Sequence, residues 1–239
     1  MTLCEIAGVL NGLGSGSSEP SRQAAFELSA SIGRPASVRS LLNSIQSSHR
    51  QLEDIARRSF RHTNHFDKIV FLENSGDASF RLALHLWRPP YTSEEVEDEQ
   101  IHSHRNDFWS TVLFGELQSW EFVRSERGEQ YHETLYRPSR TRAGAKLNEY
   151  SPLGHARLRH TDIKQWKVGA TYYLHHDKIH RIAISQFATA TLLLKGPHVA
   201  GSTSLFSTAA WHSQRVRLRR FDVTQLIERF DFIRSNLPW

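Results

Sequence analysis

Apolar and polar residues alternate differently on the two sides of His65. Before it, Ala24, Phe26, Leu28 and Ile32, then Val38, Leu41, Leu42, Ile45, Leu52 and Ile55, approximate a helical period from Pro20 to about Arg61. Gly33 and Pro35 divide this stretch into two helices, with Ser37 or Ser40 as the cap of the second. Residues 1–20 are Gly- and Ser-rich after a short apolar stretch, which predicts a poorly ordered or loosely docked segment.

After His65 the period becomes two. Phe66 to Leu72 and Phe80 to Trp87 read as strands, the second with Phe80, Leu82, Leu84 and Leu86 on one face and Arg81, Ala83, His85 and Trp87 on the other. Asn74-Ser75-Gly76-Asp77 fits a hairpin loop between them. Pro89-Pro90 and the acidic run Glu94 to Glu99 predict a solvent-exposed loop. Further strands are expected at Thr111–Phe114, Leu117–Val123, Tyr131–Tyr136, His155–Arg159, Thr171–Leu174, Ile179–Ile184 and Thr189–Leu194, with Gly115, Gly128, Gly144, Gly154, Gly169 and Gly196 in the gaps. Roughly ten short strands at regular spacing predict a mainly β chain folded as a double-sheet jelly roll or barrel. Asp222 to Leu237 closes the chain as an amphipathic helix capped by Asp222. The expected organisation is a helical segment over 1–62 packing on a β domain over 63–239.

Composition narrows the function. Cys4 is the one cysteine of 239 residues, so an internal disulfide and a cysteine metal cage are excluded. That favours a cytoplasmic protein, as does a start, Met1-Thr2-Leu3-Cys4-Glu5, without the basic residues of a signal peptide. No apolar run reaches membrane-spanning length, so no membrane association is expected. The formal charge of +5 is spread among interleaved acids. Its densest segments, Arg137 to Lys146 and Arg215 to Arg220, read as a polar loop and a strand with a solvated arginine face; neither matches a base-reading motif, and no nucleic-acid partner is expected. GxSxG, P-loop and dinucleotide fingerprints are absent.

The candidate chemistry lies in histidines. His102-Ser103-His104 stands before the apolar run Trp109 to Leu117, and two residues apart on a strand share a face, so both imidazoles can reach one ion. With 14 His in the chain, an HxH pair arises about 0.8 times by chance. The strand-like setting therefore carries the argument. His180, in a second apolar stretch, would complete a facial set suited to a redox-active Fe(II) with open positions. The competing readings are an exposed pair on an edge strand and an ordinary core histidine. His62 and His65, and His175-His176, are weaker candidates. Trp109, Phe122, Tyr131, Tyr172 and Tyr173 either line a pocket or pack the barrel; Tyr172 and Tyr173 alternate, so one of them faces inward.

Ile101-His102-Ser103-His104 with Gly115, and Ile179-His180-Arg181-Ile182 followed by Thr189 to Pro197, resemble the two motifs of the cupin superfamily, and within it the cysteine dioxygenase-like thiol dioxygenases. The similarity runs from about Phe66 to Pro197. It implies a double-stranded β-helix and Fe(II) held by His102, His104 and His180. The usual cupin glutamate has no counterpart, as in the three-histidine dioxygenases; Asp107 is a possible fourth ligand. The family's cysteine–tyrosine cross-link cannot form, because Trp109 or its neighbour occupies that place. Its serine, histidine and tyrosine beside the iron correspond to Thr191, Leu193 and Lys195, which leaves Thr191, Tyr172 and Tyr173 as candidate catalytic donors. The arginine that binds substrate carboxylate corresponds to Lys68, with Arg88 and Arg105 as rivals and Trp109 as a further substrate contact. The implied activity is an oxygenase using O₂ on a small thiol- or amino-acid-like substrate. Alternatives are a metal-dependent cupin with isomerase or lyase chemistry and a non-catalytic small-molecule binder. Pairing of two copies through sheet edges or the N-terminal helices is expected by analogy.

Overall fold

The computed structural model describes residues 1–13, 18–73, 80–93, 101–140, 146–183 and 186–239. Four helices come first: α1 (Leu3–Gly12), α2 (Glu19–Ile32), α3 (Pro35–Gln46) and α4 (His49–Arg58). Twelve strands follow among the described residues, β1 (Phe60–Arg61), β2 (Asp67–Glu73), β3 (Arg81–Trp87), β4 (Ile101–His102), β5 (Phe108–Phe114), β6 (Glu116–Arg140), β7 (Lys146–Lys167), β8 (Thr171–Leu174), β9 (Ile179–Ala183), β10 (Thr189–Lys195), β11 (Thr203–Ser207) and β12 (Gln214–Arg217). Helix α5 (Val223–Asn236) closes the chain. No described helix is long and apolar enough to cross a membrane.

All strand pairings are antiparallel. The first sheet runs β1-β2-β3-β10-β5-β8 and the second β11-β4-β9-β6-β7-β12. From β3 to β6 and from β7 to β11 each successive strand falls on the opposite sheet, so the chain winds between the two as a double-stranded β-helix.

The first sheet is buried on both faces. Leu82, Leu84 and Leu86 of β3, with Ile69, Phe71, Leu192 and Leu194, face outward into a core shared with the helices, where Ile6, Leu42, Ile45, Ile55 and Phe230 are fully buried. Arg81, Ala83, His85 and Trp87 face the interior. The interior itself is apolar at one end, where Phe66, Trp87, Phe108, Val112, Leu117, Tyr172, Leu174, Ile182 and Leu193 from both sheets meet.

Local chemistry explains the helices. Thr2 and Glu5 form a reciprocal capping box on α1, and Leu3, Ile6 and Leu10 are buried. The first 13 residues are therefore docked, correcting the loosely attached segment the glycine and serine content predicted. Pro35 stands at the first position of α3, where its missing N–H costs nothing, so the helix begins before Ser37 and Ser40, and neither caps it. Ser48 starts α4 instead, dividing the second expected helix into two.

Strand boundaries also differ. Gly128 and Gly154 do not end strands: they sit at irregularities of one long β6–β7 ribbon, near the register shifts at Arg124/Glu129 and Glu133/Thr134. The polar loop expected from Arg137 begins as ribbon, with residues 137–140 in β6. Strand β11 was not anticipated; its Ser204, Leu205 and Phe206 carry no strong alternation. The expected hairpin loop at Asn74–Asp77 and the acidic run Glu94–Glu99 lie outside the described residues.

Candidate metal centre and cavity

Between the sheets lies a cavity of about 920 Å³. His102, on β4, is directly opposite His180 on β9. His104 lies just past the end of β4, its N–H donating to the carbonyl of His176 at 2.9 Å. Possible ligand atoms of the three rings all lie within 4.8 Å of one another, and all three residues line the cavity. Ring centroids are 4.8 Å (His102–His104), 4.9 Å (His102–His180) and 5.1 Å (His104–His180) apart.

The rings are set as ligands would be. Ser119 Oγ lies 3.1 Å from His180 Nδ1, which leaves His180 Nε2 pointing at His104 Nε2, 2.9 Å away. Two nitrogens each about 2.1 Å from one ion and at right angles to each other lie about 3 Å apart, so this spacing fits two adjacent ligands of a single centre. Facing lone pairs at that distance repel unless a proton or a cation lies between them. Burial, followed by the nearby His102, holds the imidazoles of His104 and His180 well below their ordinary pKa. Neutral imidazole is the form a metal needs. The three side chains therefore fit a divalent ion, as three nitrogen donors with no carboxylate.

The cavity wall also includes the apolar interior cluster, among them Phe108, Leu117, Tyr172 and Leu193. Of the other residues expected at the site, Lys68, Arg105, Tyr172 and Thr191 line the cavity. Burial raises the Tyr172 phenol to about 12, so it stays protonated and able to donate. Lys68 is lowered to about 8 by burial. Arg105 Nη2 lies 3.1 Å from His198 Nε2.

Three expected contacts fall elsewhere. Trp109 is 1% exposed but belongs to the outward-facing core, beside Phe80 and Tyr173, because β5 turns its odd side there. Tyr173 follows Tyr172 on β8 and faces out, donating to Asp107 Oδ2 at 2.7 Å. Arg88 sits in a separate hollow, 3.2 Å from buried Asp67, which also holds Arg61 and Arg229. Asp107 is not a fourth ligand to the triad. It accepts from the backbone N–H and Nδ1 of His176, both at 2.8 Å, and forms with His175 and His176 a separate group of possible metal donors.

Arg81 and His85 were not singled out from the sequence as site residues; Lys195, matched there to a position beside the metal, and His62, a weaker metal candidate, also line the cavity. Arg81 and His85 carry the inner stripe of β3, and Lys195 stands at the end of β10. His62 stacks on Phe66 at 4.5 Å and Phe66 on His85 at 4.2 Å, forming one wall. The signal was the polar face of a strand whose other face is leucine, which a solvated edge would also show.

No family model matches the chain, and no curated protein matches it. Among solved structures, the Co(II) form of HppE in complex with substrate aligns at 9% identity over 54% of this chain and 51% of that one, with a TM-score of 0.31. Hydroquinone 1,2-dioxygenase PnpCD with Cd²⁺ and 4-hydroxybenzonitrile aligns at 17% identity over 54% and 63%, TM-score 0.29. A conserved protein with a double-stranded β-helix domain from Klebsiella pneumoniae aligns at 12% over 65% and 94%, TM-score 0.33. The chain spans about half the length of the HppE structure and less than two thirds of the dioxygenase.

Proposed function

We propose that the chain is a non-haem iron oxygenase that oxidises a small thiol- or amino-acid-like molecule with O₂. The observation that carries this reading is the convergence of His102, His104 and His180 on the cavity, with 2.9 Å between the Nε2 atoms of the last two. Fe(II) bound by three neutral imidazoles supplies a centre that keeps charge +2 and open positions for substrate and O₂.

The chain's residues supply the rest. Ser119 orients His180, His104 is held by its backbone bond to His176, and the apolar wall keeps bulk water from the reacting end. Tyr172 and Thr191 offer hydroxyls on the cavity side. Lys68 and Arg105 attract the anionic end of a substrate; a lysine neutralises it without imposing the guanidinium fork.

Anaerobic loading with Fe(II), followed by O₂-uptake measurements against small thiols and amino acids, tests the proposal. Near-stoichiometric iron and thiol-dependent O₂ uptake are expected. Retention of zinc or nickel with no O₂ uptake would replace it with non-oxidative metal chemistry. Absence of metal binding would replace it with a non-catalytic binding protein.

A further inference from the structure

The cavity has a second charged centre besides the histidines. Lys68 on β2 is paired with His85 of β3, and Lys195 on β10 with Arg81 of the same strand. The diagonal between the two lysines crosses β3 at Ala83, whose small side chain lines the cavity and leaves room above it. Each influences the protonation of the other. Both are half-buried and line the cavity.

This is a costly arrangement for a folded protein to keep. Burial first, then the positive charge of Lys68, Arg81 and Arg105, holds the Lys195 amine well below the ordinary lysine pKa, and burial lowers Lys68 to about 8. Among the described residues lining the cavity, Glu73 is the only carboxylate, against Arg58, Lys68, Arg81, Arg105, Lys195 and Arg220. Arg58 and Arg220 are engaged by backbone carbonyls at the rim. His85, beside Lys68 in register, has an Nε2 with no partner. Positive charge and an unpaired polar atom thus collect at one place in the same cavity as the triad.

We infer that Lys68 and Lys195, across Ala83 and beside His85, form a subsite for a small oxyanion carrying two negative charges, of the phosphate or phosphonate kind. A bound dianion favours the protonated form of both amines and is matched by the two ammonium groups, whereas a carboxylate compensates one charge only. This deepens the oxygenase reading by naming the far end of its substrate: a molecule with a metal-binding atom at one end and a dianionic group at the other.

The test is calorimetric titration of the full chain with inorganic phosphate and methylphosphonate, and with acetate as the monoanion. Phosphate and methylphosphonate are expected to bind at least 10-fold more tightly than acetate, and Lys195→Met to weaken them at least 10-fold. Ala83→Leu, which keeps both charges and fills the space, should also weaken them. Arg219→Ala, in the separate arginine-lined hollow, should not. Equal binding of acetate, or phosphate binding unchanged in Lys195→Met, would overturn the inference. His102→Ala separates the two readings: it should lose iron and keep phosphate binding. Wild-type protein that holds no iron yet binds phosphate through Lys195 would sink the oxygenase reading alone, and iron without phosphate binding would sink this one alone.

Discussion

His180 is held from two sides. It faces His102 across the β4–β9 ladder, and Ser119 reaches its Nδ1 from β6. Removing the serine hydroxyl frees the ring to rotate, so Ser119→Ala is expected to lower metal affinity by about 10-fold or more, read by competition with a chelator, while the circular dichroism is unchanged. His102→Ala or His104→Ala removes a donor outright, and iron retention after desalting should be lost. Asp107 behaves differently, because its bonds are structural. Partial burial opposes its ionisation, but donation from Tyr173 and from His176 outweighs this and lowers its pKa. Its contribution to stability is therefore complete above the ordinary carboxylate pKa and is lost as pH falls through the lowered value. Tyr173→Phe removes one of those bonds; at this half-exposed site it should cost about 1 kcal/mol or less near neutral pH. Urea denaturation at neutral pH and near pH 3 should show the difference shrinking in acid.

At the scale of elements, the turn between β5 and β6 is set by Gly115. Its φ is +74°, and an added Cβ would meet the Ala188 carbonyl oxygen at 2.4 Å and Thr189 Oγ1 at 2.5 Å. Backbone cannot move aside as a flexible side chain can. Gly115→Ala is thus expected to cost about 2 kcal/mol or more, measured as a shift of the urea midpoint. The helical layer depends on apolar contact instead. Phe230 of α5 is fully buried against the outward face of the first sheet, 6.1 Å from Phe71 by ring centroids. Phe230→Ala should cost about 3–5 kcal/mol. Much of this layer was legible: helical spacing singled out Val38, Leu41, Ile45, Leu52 and Ile55, and all are buried. Helix α1 was not, because flanking glycines and serines masked a Thr2–Glu5 capping signal that spans four residues.

For the whole molecule, metal binding should report on folding. The three ligands come from β4, the segment after it and β9, so an unfolded chain does not bring them together. A divalent ion at about 100 times its dissociation constant would add about 2.7 kcal/mol. In a chain of this size that is a rise of roughly 5–10 °C in melting temperature, abolished by a chelator and absent in His180→Ala. A rise that persists in His180→Ala would place the ion elsewhere, with the Asp107, His175 and His176 group as the alternative.

The sequence by itself determined the helical spacing ahead of His65, the period of two after it, and the His102–His104 pair, because these are local properties of neighbouring residues. It could not assign the faces. Alternation along β3 separates Leu82, Leu84 and Leu86 from Arg81, Ala83 and His85, but the same pattern suits a polar face turned to solvent or to a cavity. Only the stacking of a helical layer on one side of the first sheet and of the second sheet on the other decided that the polar stripe lines the interior. The same stacking turned Trp109 and Tyr173 away from the cavity and brought Lys195 and Lys68, more than 100 residues apart in the chain, to either side of β3 in one cavity, since side chains distant in sequence share a site only where the ladders place them.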